Sequence, residues 1–508
     1  MMPLLSHRSA WVWSIPVMVS IVGGTSIVIQ TTELVAVAQT VQSRRDEAFR
    51  LNDEGLELDR QGKSITALDN YRQALRILGE IKDSKGEDTI LNNMGLAYRN
   101  LGQYPKALEF YQQALTIRKE VKDRRGEGIT LSNIGAVYLS LGQYPKALEF
   151  YQQALAIAKE VGDRPGEGDV LNNIGILYGD LGQYLKALEY YQQVLAIDEE
   201  VEDKNRRGIT LNNIGLAHLE LGQYLEALQY FQQALVTFKG VRSRPGEATS
   251  LNNIGMVYLG LKQYGTVLEY LRQALAIRRE VGDRSGEGNT LSNIGGVYFN
   301  LEQYSEALKY LQQALAIRKE TGEQHKYGIT LNNIGYALEA QGQTELATIF
   351  YKQSVSIYEQ IRGDLKSLPK EQQESYTKTV EHTYRTLANL LLRQDRVLEA
   401  QQVLDFLKVQ ELDLYLRNVR GGKQPLIILQ SEAEILKKYN ELQTSAIQLG
   451  QELTELRRIP ATDRSTQQQQ RIDRLVQLEK DINAQFNQFI ESDEVKKLTQ
   501  QLSSTARN

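Results

Sequence analysis

The chain has 508 residues, with 59 Lys and Arg against 63 Asp and Glu, a formal net charge of −4 and no cysteine. So even a balance argues against a general nucleic-acid binder, whose surface must be basic. Lack of cysteine excludes a disulfide framework, a thiolate metal site and a cysteine nucleophile.

Met1 to Ala38 stands apart. His7 and Arg8 precede an uncharged run from Ser9 to Thr32, and the segment closes on Ala36-Val37-Ala38. A basic start, an apolar middle and an A-x-A end form the pattern of a secretory signal. Cleavage near Ala38 would make the mature protein periplasmic or extracellular. The apolar run at residues 9–32 is also long enough to cross a bilayer, so an uncleaved membrane anchor is the alternative.

From residue 46 to 367 the chain repeats itself. The stretch Leu91 to Thr130 recurs with its leucine at Leu131, Leu171, Leu211, Leu251, Leu291 and Leu331, each forty positions on, and a worn copy starts at Leu51. Eight units result. In the first, Leu58 stands for the usual tyrosine; in the eighth, Leu338 and Ser354 break the pattern. A fixed period of this size means a solenoid of stacked supersecondary units.

Each unit predicts two helices around Leu-Gly-Gln-Tyr. Leu91, Met94, Gly95 and Tyr98 share one helical face, and Ala107, Leu108, Tyr111, Ala114 and Leu115 share another. Gly102 stands where a helix C′ residue needs a left-handed backbone. Pro105 and Pro145 fall in the first turn of the second helix, where a missing N–H costs nothing. Asp163, followed by Pro165, predicts the next helix start. The Gly126-Glu127-Gly128 motif lacks the strand and lysine of a phosphate loop and reads as part of that start.

The spacing of Leu91, Met94, Gly95, Tyr98, Ala107, Tyr111 and Ala114 resembles the tetratricopeptide repeat (TPR). Leucine replaces its tryptophan, Lys119 replaces its late proline, and the unit is longer than the common period of about 34 residues. The long form is similar to the repeats of kinesin light chains. The resemblance implies an all-α, right-handed superhelical solenoid of antiparallel helix pairs, with the first helices lining its concave side.

Beyond Ile361 the period breaks. Asp364 to Pro369 reads as a loop, and residues 370–420 as a divergent ninth unit carried by Leu387, Ala388, Leu391, Ala400, Leu404 and Leu407. After Gly421, Gly422 and Pro425, residues 426–508 predict a helical hairpin or coiled coil. Ile435, Tyr439, Leu442, Ala446, Leu449, Leu453 and Leu456 form its heptad seam. Ile472, Leu475, Leu478, Ile482, Phe486 and Phe489 form the opposing stripe, and the seam offers a route to self-association. The arrangement, with the stretch VLDFLKVQELDLYL, resembles the part of cyanobacterial proteins that precedes a caspase-like (CHAT) domain. The catalytic domain itself is missing here.

Histidine occurs only at His7, His218, His325 and His382. His218 takes the place of Tyr98 and reads as a core substitute; none is spaced for a metal. Without a nucleophile elbow or phosphate loop, the expectation is a protein that is not an enzyme and needs no cofactor.

The expected site is the concave face. Asn93, Asn133, Asn173, Asn213, Asn253, Asn293 and Asn333 recur there. An amide offers both donor and acceptor, so the ladder suits the main chain of a peptide. Bonding to the neighbouring repeat, as mortar, is the equal alternative. Beside the ladder, Leu216, Leu219, Met256, Leu259 and Phe299 predict an apolar strip for peptide side chains. The expected function is a scaffold binding an extended or helical peptide. The alternative is the adaptor half of a caspase-like protease system.

Overall fold

The computed structural model describes residues 26–367, 369–416, 429–457, 459, 462–493 and 495–498. Most of the segment expected to be a signal or anchor, residues 1–25, lies outside them. Among the described residues no helix is long and apolar enough to cross a membrane, and no strand occurs.

Among the described residues twenty α-helices follow one another. The first helices of the units are α1 (Ser26–Arg60), α3 (Ser84–Asn100), α5 (Arg124–Ser140), α7 (Arg164–Asp180), α9 (Lys204–Glu220), α11 (Arg244–Gly260), α13 (Arg284–Asn300) and α15 (Gln324–Ala340). Their partners are α2 (Ser64–Ile81), α4 (Tyr104–Glu120), α6 (Tyr144–Glu160), α8 (Tyr184–Glu200), α10 (Tyr224–Gly240), α12 (Tyr264–Val281), α14 (Tyr304–Thr321) and α16 (Thr344–Asp364). A further pair, α17 (Lys370–Arg393) and α18 (Val397–Leu416), comes before α19 (Gln430–Arg457) and α20 (Thr466–Glu491).

Each pair closes on small residues. A Cβ on Gly95 would stand 2.6 Å from the Tyr111 ring, and one on Gly335 2.6 Å from Tyr351. Only glycine lets the second helix's tyrosine lie flat on the first helix. A second ring layer stacks beside it: Tyr98 on Phe110 at 5.2 Å, Tyr138 on Phe150 at 5.2 Å and Tyr178 on Tyr190 at 5.4 Å. His218 takes its place in this layer, on Tyr230 at 5.2 Å.

The turns repeat as well. Gly102 has φ +75°, and Gln103 N–H reaches Tyr98 O while Gly102 N–H reaches Arg99 O, a Schellman cap. Asp83, Asp123, Asp163, Asp203 and Asp283 each accept a backbone N–H at the start of a first helix. Some turns put a side chain where glycine belongs: Lys262 and Glu302 both have φ +58°. Lys262→Gly and Glu302→Gly should each stabilise the chain by about 1 kcal/mol, read as higher denaturant midpoints.

Successive first helices touch, α3 with α5, α5 with α7, α7 with α9 and α9 with α11, while no comparable contact joins successive second helices among the described residues. The closer-spaced side of a stack is the inside of its curve, so the first helices face inward. The coil then closes on itself. A Cβ on Gly62 of the first unit would stand 3.2 Å from Ser285 N of the seventh, and Gly142 O accepts a 2.6 Å bond from Ser375 Oγ of α17. Along this seam lies an open-sided cavity of about 400 Å³ lined by Tyr104, Ser285, Glu323 and His325. Burial alone would raise the Glu323 carboxyl; Arg318 and Lys326 beside it bring it down to about 2.

The hairpin α19–α20 packs against α14 on the outer side of the array. Much of its apolar seam is therefore buried within the chain. Ile435, Tyr439, Leu449 and Leu453 are all buried, and Tyr439 meets Phe350 edge-on at 5.0 Å. Leu449 and Leu453 also pack on Ile472 and Leu475 across the hairpin.

Candidate functional site

The inward face is built from one side of each first helix. The core side buries Leu131, Ile134 and Val137 and their counterparts. Asn133 lies on the opposite side, where it can meet both the neighbouring helix and the interior.

The structure gives most of the ladder a partner one repeat back. Asn93 Nδ2 donates to Asn52 Oδ1 at 2.7 Å, Asn133 to Asn92 at 3.1 Å, Asn173 to Ser132 Oγ at 3.1 Å, Asn213 to Asn172 at 2.7 Å and Asn293 to Asn252 at 3.0 Å. Asn253 is buried and accepts from Asn252 at 3.4 Å; Asn333 is half-buried. The ladder thus ties successive first helices together. Each such bond uses one of an amide's two N–H donors and leaves its carbonyl oxygen for another donor.

The apolar strip is divided. Leu216 is exposed and Met256 half-buried, but exposed Gly296 follows them at the equivalent place. Leu219 packs on the cluster around Phe231 and Val257, Leu259 on that around Leu291 and Val297, and Phe299 edge-on against Tyr304 at 5.5 Å. These three positions lie one turn nearer the tight Schellman turn, where the next helix crosses them.

The helix start read at Asp163 is where the first helices begin, at Arg164 and, seven residues before Leu131, at Arg124; the candidate strip, drawn only from each leucine onward, leaves out that opening turn. Ile129 and Ile209 sit in that turn and are exposed. Their place, two residues before the leucine, is 160° from it on the helical wheel and beside Asn133 and Asn213.

A groove cavity of about 350 Å³ gathers Arg99, Ile129, Ser132, Asn133, Asp169, Asn172 and Asn173. Among the described residues the Arg99 guanidinium makes neither a hydrogen bond nor an ion pair. The cavity is polar toward the second to fourth units, with the exposed Ile209 and Leu216 following in the fifth.

No group of histidine and acidic residues suited to a metal occurs among the described residues. His325 Nδ1 lies 3.1 Å from Tyr376 Oη, and burial, helped by Lys326, pushes its pKa down. His382 stacks on Tyr336.

This architecture defines a helical-repeat protein with an inward groove. The chain belongs to the tetratricopeptide repeat family: one of its models matches residues 58–120, 86–160, 126–200, 206–280 and 286–360, and another matches 172–236. Among solved structures it is similar to a Rap protein complexed with competence and sporulation factor, at 16% identity over 63% of this chain and 99% of that one, TM-score 0.47. The Rap conjugation gene regulator of plasmid pLS20, in complex with the Phr* peptide, aligns at 16% identity over 64% and 98%, TM-score 0.47. The kinesin light chain-like repeats of a Podosopora anserina protein align at 22% identity over 37% and 92%, TM-score 0.31. No curated protein gives a significant match.

Proposed function

We propose that this chain is a non-catalytic interaction scaffold that takes an extended peptide along the inside of its repeat array. One observation carries the reading: the groove cavity joins an unpaired cation, Arg99, to the ladder amides of Asn133 and Asn173, whose carbonyl oxygens accept no hydrogen bond from the described residues. Such groups recognise main chain without reading sequence. Ile129, Ile209 and Leu216 would add apolar contacts for alternate side chains, and Arg99 favours an acidic residue or a terminal carboxylate nearby.

The test is a peptide library displayed against the full chain. Arg99→Ala and Asn173→Ala should each weaken the selected peptide by about 1–3 kcal/mol, read as a fivefold or greater rise in Kd at unchanged helicity. Equal binding by both variants would refute the groove. Export or anchoring through residues 1–38 belongs to the same proposal and is read by fractionating cells that make the full chain.

The second reading is the adaptor half of a caspase-like system. It rests on the order of repeats, α17–α18 and hairpin, and on the seating of that hairpin against the array as one body. A protease domain encoded beside this chain and retained by it would favour this reading.

A further inference from the structure

The helix pairs give the array two rims. Turns inside the pairs, at residues 62, 102, 142, 182, 222 and 262, lie on one rim; turns between pairs, at 82, 122, 162, 202, 242, 282 and 322, lie on the other.

In the first three units the intra-pair rim is covered by the second coil of the same chain. Gly62 lies against Ser285 and Thr321, Leu101 against Gly322, and Gly142 against Ser375 and Thr379. Leu101 and Leu141 are accordingly 3% and 0% exposed. One step further along, the cover ends. The equivalent leucines Leu181 and Leu261 are both 39% exposed.

The sequence changes at the same place. Pro105 and Pro145, at the start of the second helix, stand under or beside the covered rim. Their counterparts in the fourth and fifth units are Leu185 and Leu225, 68% and 78% exposed. Proline suits this first-turn position, so leucine does nothing there for the helix that proline would not. Four exposed leucines therefore continue the intramolecular seam onto open surface.

The other half of the seam is repeated too. Thr321, which lies on Gly62, is buried, and its counterparts Val121 and Val161 on the first coil are 40% and 41% exposed. We propose that a second copy of this chain seats its Val121–Val161 rim on the Leu181–Leu185–Leu225–Leu261 rim of the first, repeating between molecules the seam that closes within each one. The occupant follows from continuity: the turns that already cover units one and two, at Ser285, Thr321 and Gly322, are this chain's own inter-pair rim, and α17 covers unit three. The two faces differ, so contact is head-to-tail and generates rings or filaments, not a twofold dimer. The leucine rim lies apart from the groove cavity, while Val161 also lines that cavity, so L185D/L225D tests the association without touching the peptide site.

The test uses the full chain in sedimentation velocity over a concentration series. Wild-type mass should rise with concentration beyond a dimer or settle at a closed ring larger than two. L185D/L225D and V121D/V161D should each remain monomeric with unchanged helical signal, a loss of association of more than an order of magnitude. Mixed together, they should form a complex that stops at two molecules, because one intact face of each kind remains. The mixing experiment also guards against misfolding, since an unfolded variant would not pair. A wild type monomeric throughout, association unaffected by either variant, or variants that fail to pair although both are folded would overturn the proposal. So would Leu185 and Leu225 serving only to capture a foreign protein.

Discussion

Gly175→Ala is expected to destabilise the fourth unit by about 2–3 kcal/mol, while the same exchange at Gly255 is expected to be neutral or to stabilise by up to about 1 kcal/mol. The two glycines occupy the same place in their units. A Cβ on Gly175 would come within 2.4 Å of Tyr191 Cε1 and 2.8 Å of Cδ1. That ring is buried in a cluster with Ile214 and Ala217 and cannot move aside without disturbing them. At Gly255 the facing residue is Leu271, whose nearest atom would lie at 3.3 Å. A leucine methyl can swing by the few tenths of an ångström needed, and alanine then brings its better helix propensity. Denaturant unfolding gives the two values. Since each repeat couples chiefly to its neighbours, hydrogen exchange should show the loss centred on α7 and α8. Equal effects at both sites would show that the facing ring does not set the requirement for glycine.

Glu432→Gln should release the C-terminal hairpin, at a cost of about 3–5 kcal/mol. Glu432 is buried at the start of α19 and bridges Lys352 Nζ at 2.9 Å and Arg396 Nη2 at 2.9 Å. Glu399 completes the group, 2.6 Å from Lys352 and 2.7 Å from Arg396. Removing one carboxylate leaves two buried cations sharing a single anion, an unbalanced charge that water must enter to relieve. Faster hydrogen exchange across residues 430–491 and cleavage in the turn near residue 462 would report the release. Replacing the pair with apolar residues, Lys352→Met with Glu432→Leu, should recover most of the loss because no charge is stranded. Acid should act in the same direction. Burial alone would raise the Glu399 carboxyl, but Arg396 and Lys352 hold it below the usual carboxylate range. Its folded pKa is lower than its unfolded one, so its stabilisation is present above the unfolded value and is lost as pH falls through the folded one. A hairpin that stays protected in Glu432→Gln would mean that Tyr439, Ile435 and their apolar contacts suffice to hold it.

The local parts of the fold were legible because each is decided within about a dozen residues. Leu91, Met94, Gly95 and Tyr98 share a face by helical period alone, and Gly102 and Asp123 mark a helix end and a start through their own backbone chemistry. The site was less legible. Asn133 and Leu216 lie on the inward face where the helical wheel put them. Ile129 and Ile209 were missed because the strip was drawn from each leucine onward, although the Asp163 signal puts the helix start before them. Leu219, Leu259 and Phe299 pack away from that strip because a neighbouring element meets them, and a single helix's pattern does not say what crosses it.

From residue order alone came the class of protein: a forty-residue period, two helices in each period, and glycine wherever two elements meet closely, all consequences of short-range sterics and hydrogen bonding. Only the tertiary structure decided that the coil returns to seal Leu101 and Leu141 while leaving Leu181, Leu185 and Leu225 bare, and that the hairpin lies against α14 instead of standing free. Both depend on the small rotation from each repeat to the next, summed over many units. A change of a few degrees per repeat would move the seventh unit off the first, and no local pattern encodes that sum.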